Sequence, residues 1–165
     1  MLGGGWAVTL TDGKLSAHFD LEEFLVSEIA ARRGIDNTPT PEIVENLKRL
    51  ALALEDVRML LGHPIYITSG YRCPALNVAV GGSATSAHPY GLAADFICPG
   101  FGAPLDICTA IAAAGIVFDQ LIHEFGRWVH FGLAIGAAEP RRQVLTARFA
   151  DGSTLYEPGL LKVAA

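Results

Sequence analysis

The amino-acid sequence predicts an α+β fold in which helices pack on a small antiparallel sheet. Three observations lead there. Capped segments with helical apolar spacing fill residues 20–61, the later chain changes to short strand-like runs, and Asp151-Gly152 marks a tight hairpin turn between two of those runs. No internal repeat breaks this order of helices first and strands after, and 165 residues suit a single domain, 1–165, with a buried core.

Residues 7–10 read as a short strand closed by Asp12-Gly13. Asp20 as N-cap, with Glu23 three positions on, starts a helix that runs to Gly34 and packs by Leu21, Phe24, Leu25 and Ile29. His18, just before it, reads as a polar or core-edge residue able to reach a cleft rim. Asn37-Thr-Pro-Thr-Pro is a loop, after which Thr40 caps and Pro41 opens the main helix. Ile43, Leu47, Leu50, Leu54, Val57 and Leu61 recur there at helical spacing until Gly62 stops it. Residues 65–68 form a short strand, and Asn77 with Gly81-Gly82-Ser83 reads as irregular backbone framing a pocket. Pro89 holds His88 extended, Gly91 reverses the chain, and residues 92–97 form a short buried strand. Residues 104–114 are helical. Residues 117–123 and 127–133 then pair as antiparallel strands around Phe125-Gly126, and 144–149 and 154–156 form the last hairpin.

With 51% hydrophobic and 18% charged residues the composition is globular, and a net charge of −5 with no Lys/Arg cluster argues against a nucleic-acid partner. Cys73, Cys98 and Cys108 lack Cys-x-x-Cys spacing and read as buried small hydrophobes. Residues 1–10 carry neither a basic start nor a long apolar core, so no secretory signal is expected, and no run is long enough for a transmembrane segment. Synthesis in the cytoplasm follows, with a monomer the favoured state.

Chemistry concentrates between Ser86 and Asp95, Ser-Ala-His-Pro-Tyr-Gly-Leu-Ala-Ala-Asp. An acid inside an apolar strand needs a cation or several donors. The imidazole of His88 and the carboxylate of Asp95 are the kind of pair that makes half of a zinc site; a third ligand can come from any later element, and His130 in Trp-Val-His-Phe-Gly is the candidate. The plain alternative is a solvated loop histidine and a salt-bridged aspartate. Arg72, just past a strand end in Ser-Gly-Tyr-Arg, offers its guanidinium fork either to a substrate carboxylate or to a surface ion pair. Strand alternation puts Trp128 and His130 on one face, with Glu124 near Trp128 across the turn; Glu124 is then an acid beside the metal or a solvated hairpin end, and Trp128 a cleft wall or core. His123 faces away.

The motif S-x-H-x-x-G-x-A-x-D at Ser86, His88, Gly91, Ala93 and Asp95, flanked by Ile-Thr-Ser-Gly-Tyr-Arg at 67–72 and Glu-Phe-Gly-Arg-Trp-Val-His at 124–130, resembles the M15 family of zinc D-Ala-D-Ala peptidases, most closely its phage-type branch. The resemblance spans about residues 15–133, including Ser-Ala-His-Phe at 16–19. It implies a Hedgehog-like zinc peptidase fold, Zn²⁺ held by His88, Asp95 and His130, substrate contacts at Arg72, Ser86 and Trp128, and Glu124 as general base. In part of the wider family the acid stands three positions before the last histidine, where this chain has Arg127. The implied activity is hydrolysis of peptidoglycan stem peptides by a carboxypeptidase or an endolysin-type endopeptidase, acting on the cell wall after release in a phage or prophage lysis setting. A catalytically inactive wall-binding or phage structural module is the competing expectation, and a zinc-independent binding domain a further one.

Overall fold

The computed structural model describes residues 13–163; the strand expected at residues 7–10 lies outside them. Its largest helix, α2 (Pro41–Leu61), has the bounds that its capping residues dictate. Thr40 Oγ1 accepts from the Ile43 N–H, and Gly62, in the left-handed region, sends its N–H to the Arg58 carbonyl. Leu47, Leu50, Leu54 and Val57 on this helix are fully buried. They meet α4 (Pro104–Ala113), whose Ile107, Cys108 and Ile111 are equally covered.

Both helices lie against one face of a six-stranded sheet of order β1-β2-β4-β3-β5-β6. The strands are β1 (Tyr66–Ser69), β2 (Ala93–Ile97), β3 (Gln120–Glu124), β4 (Trp128–Gly132), β5 (Gln143–Ala150) and β6 (Ser153–Pro158). Alternation divides them by face: Ala94, Phe96, Leu121, Val129 and Phe131 enter the core, and the residues between them face the other way. The sheet is mostly antiparallel, with one departure from expectation. β3 pairs with β5 in parallel, because the chain crosses from β4 over residues 133–142 and enters β5 beside β3.

Three local expectations are corrected. The first helix is two pieces, a 3₁₀ turn at Leu21–Phe24 and α1 (Glu28–Arg33) capped by Ser27. Partners from far along the chain occupy the carbonyls that a continuous helix would use: Phe24 O accepts from Tyr71 N–H at 2.7 Å and Leu25 O from Asn37 Nδ2 at 3.1 Å. Asn77 sits in a short helix, α3 (Pro74–Ala79), with Pro74 in its first turn, and not in irregular backbone. His88 opens a 3₁₀ turn, His88–Tyr90, instead of running extended, since Gly91 at φ 67° returns its N–H to His88 O at 3.0 Å.

His18 does not reach the cleft. Glu55 on α2 accepts from Ser16 Oγ at 2.6 Å, from the His18 backbone at 2.8 Å and lies 2.8 Å from His18 Nδ1. The carboxylate thus staples the entry segment to α2. Burial alone would raise its pKa, but the bonds from Ser16 and His18 outweigh that and hold it below 4.5. A depressed folded-state pKa contributes stability above the unfolded value, and the contribution disappears as pH falls through the folded one. Glu55→Gln is therefore expected to lower the unfolding free energy by about 1–3 kcal/mol at pH 7 and by much less near pH 3. Urea melts at both pH values measure it; an equal gap at both would contradict the staple.

Candidate active site

Two antiparallel strands bring the central residues together. Asp95 on β2 stands directly opposite His130 on β4, and both project away from the helices. Ser69, at the end of β1, flanks Asp95 on the other side. His88 comes from the 3₁₀ turn before β2, where its N–H donates to Ser86 Oγ at 3.3 Å. Gly91 must be glycine for a second reason: a Cβ there would stand 3.0 Å from the Ile43 carbonyl, so the turn is pressed against α2. One ligand nitrogen or oxygen from each of His88, Asp95 and His130 lies within 4.8 Å of the others, and all three side chains are buried.

The hydrogen bonding of this cluster is incomplete without a cation. His88 Nδ1 lies 2.6 Å from the Gly70 carbonyl, which can only accept, so Nδ1 carries a proton. In the neutral ring Nε2 then has a bare lone pair, aimed at Asp95 Oδ1 3.2 Å away. A second proton would resolve the clash, yet burial pushes the His88 pKa down against the pull of Asp95. A metal between nitrogen and carboxylate resolves it without that proton, and a carbonyl behind a ligand histidine is the usual orienting partner. Asp95 Oδ1 is also 2.9 Å from His130 Nδ1, and Oδ2 accepts from an Arg72 guanidinium nitrogen at 3.2 Å. Burial by itself would raise the Asp95 pKa; the two histidines overcome it and keep the carboxylate ionised well below the usual range. The donor set therefore fits a divalent cation, with two imidazoles and one anionic oxygen.

Glu124 pairs with Trp128 across the β3–β4 turn and projects to the same face as His130. Burial, then the charge of Asp95, raises its pKa against the opposing pull of His130. Trp128 Nε1–H donates to Glu124 Oε2 at 2.7 Å, so the indole orients the acid as well as walling the cleft. The turn that sets this geometry has Phe125, Gly126 and Arg127 between the strands, the first two at φ 55° and 69°, and is closed by Arg127 N–H to Glu124 O at 2.9 Å. His123 faces the opposite side, 3.1 Å from the Leu161 carbonyl. Cys108, beneath the sheet, is a free thiol pushed up to about 12 by burial and by the Glu124 charge.

Arg72 is partly buried at the cleft edge, its Nε atom buried and lacking a partner among the described residues. What holds its loop escaped the sequence reading. Asn37 accepts from the Cys73 N–H at 2.8 Å and donates to Tyr71 O and Leu25 O, both at 3.1 Å, locking the backbone on both sides of Arg72. Gly70 was likewise missed. A Cβ there would stand 2.6 Å from the Phe24 backbone, and this close approach presents the Gly70 carbonyl to His88. Neither signal is visible without the fold, since both partners are distant in sequence.

Arg72, Ser86, His88, Asp95, Glu124 and His130 share one open cleft of about 1020 Å³, above the roughly 300–1,000 Å³ of small-molecule pockets and suited to an extended chain. A buried trio able to hold a metal, with a desolvated carboxylate beside it in a groove of that size, is compatible with a metallopeptidase. The model for the family described as peptidase M15 matches residues 17–132, and the chain is a member of that family, with an α+β architecture compatible with it. No curated protein matches the chain.

Proposed function

We propose that the chain is a zinc-dependent peptidase that hydrolyses peptidoglycan stem peptides, removing a terminal D-alanine. The observation that carries the reading is the placement of Glu124 on the same sheet face as the His88–Asp95–His130 trio, across a single turn from the strand that bears His130. Zinc, when bound, supplies a lowered pKa for water and polarisation of the scissile carbonyl. Glu124, oriented by Trp128, takes the proton of the attacking water and returns it to the leaving amine. Gly70 keeps His88 in the tautomer that leaves Nε2 available, and Arg72 neutralises Asp95 from behind. The partly exposed guanidinium of Arg72, which lines the cleft, supports recognition of a carboxylate at the cleft edge, and Ser86 lines the same cleft. Among the described residues no helix is long and apolar enough to cross a membrane. In this proposal the enzyme meets the wall on release during phage or prophage lysis.

Mass spectrometry of purified peptidoglycan treated with the zinc-loaded chain tests the reading: loss of one alanine per stem supports it, and an unchanged wall refutes it. Arg72→Lys refines the bond. Lysine offers a point charge where the fork is needed, so kcat/KM on a free-acid peptide should fall by about 2–5 kcal/mol in transition-state terms, with little further loss on the amide. Metal content is the control, because Arg72 also holds Asp95. Equal loss on acid and amide would make the enzyme an endopeptidase.

A further inference from the structure

The sheet extends past the peptidase core. The family match ends at residue 132, whereas β5 and β6 span 143–158 and add two strands beside β3. The register joins them to the site: Trp128 stands opposite Glu124, Glu124 opposite Ala147, and Ala147 opposite Tyr156. Register partners share a face, so all four project to the cleft side. Ala147 is fully buried with only a methyl group, which leaves its column free for the phenol ring on its far side. Tyr156 and Thr154, two positions apart on β6, both line the cleft, and Tyr156 remains half exposed in its wall. The hairpin is anchored from behind, since Thr146 donates to Gly159 O at 2.8 Å and accepts from Leu161 N–H at 2.9 Å.

We propose that Tyr156 is a substrate-binding residue, its hydroxyl donating a hydrogen bond to a backbone carbonyl of the stem peptide on the amino side of the cleaved bond. The direction follows from the order of strands. Arg72 follows β1 at one edge of the sheet and Tyr156 lies on β6 at the other, with the trio and Glu124 between them. A peptide whose terminal carboxylate lies at Arg72 must run its preceding residues toward β5 and β6. Tyr156 sits two strand spacings from Glu124, about 10 Å or close to three residues of extended chain, and three spacings from His130 on β4, about 14 Å or roughly four residues. Burial, then the charges of Glu124 and Asp95, raise the phenol pKa, so the hydroxyl keeps its proton at neutral pH and acts as a donor.

This assignment rests on the peptidase reading, and a comparison of peptide lengths separates the two. Tyr156→Phe removes the hydroxyl alone, and zinc content and melting temperature should match the wild type. On an acetylated stem tetra- or pentapeptide kcat/KM should fall about three- to tenfold, whereas D-Ala-D-Ala dipeptide, too short to reach β6, should be cleaved at the wild-type rate. Tyr156→Ala should widen the gap. Equal loss on both lengths, or no loss on the long peptides, overturns the assignment while the peptidase reading stands. A zinc-loaded wild type that neither cleaves these peptides nor binds them in calorimetry overturns both.

Discussion

Glu124→Gln is expected to leave fold and bound zinc intact and to lower kcat by about 10²–10⁴-fold. The substitution is nearly isosteric, and the amide oxygen can still accept the Trp128 indole N–H, so the β3–β4 turn has no reason to shift. What disappears is proton transfer. Stability should move the other way: burial raises the folded-state pKa of Glu124, so its ionised form is disfavoured by folding at neutral pH, and the metal-free variant should be no less stable than metal-free wild type. Steady-state kinetics with metal analysis and melts of both apo proteins measure the two effects. Near-normal turnover with a full complement of zinc would transfer the proton to another group, and His123, on the opposite face, is not placed to take it.

Replacing His88, Asp95 or His130 by alanine should abolish stoichiometric zinc and reduce hydrolysis to background, because two remaining donors are too few. The three variants should not be equal in stability. His88→Ala and His130→Ala each remove one neighbour of a carboxylate that retains Arg72. Asp95→Ala instead strips the partly buried Arg72 of its ion pair and leaves His130 Nδ1 without its partner, with an expected cost of about 3–5 kcal/mol in the metal-free protein. Metal content after exhaustive dialysis, with denaturant melts of the apo forms, distinguishes ligand loss from unfolding. Full zinc in all three variants would remove the site.

Local chemistry made much of this legible. Thr40, Pro41 and Gly62 bound α2 because capping and left-handed turns are decided within a few residues. The Glu124–Trp128 pairing followed from strand alternation about a three-residue turn, 125–127. The misreadings share a cause in distant partners or short length. Phe24 and Leu25 break a helix that their own sequence would continue, since Tyr71 and Asn37 claim their carbonyls. The six residues of α3 are too few for a periodic pattern, and the parallel β3–β5 pairing depends on a crossover that no local signal marks. Ser86, expected to touch substrate, accepts the N–H of His88 at the start of the turn that delivers its imidazole.

The opposition of Asp95 and His130 across β2 and β4 also bears on the order of events during folding. The two residues are 35 apart in sequence, and they meet only when the strands at the centre of the sheet have zipped in register. A slip of one residue in either strand would turn its own ligand side chain into the core. An unfolded or half-folded chain consequently holds no preassembled trap for zinc, and long-range strand pairing is the slow step in chains of this kind. Metal capture during refolding is thus a clock for sheet closure: with zinc in large excess, it should follow the core's burial with a single shared rate that further zinc does not raise.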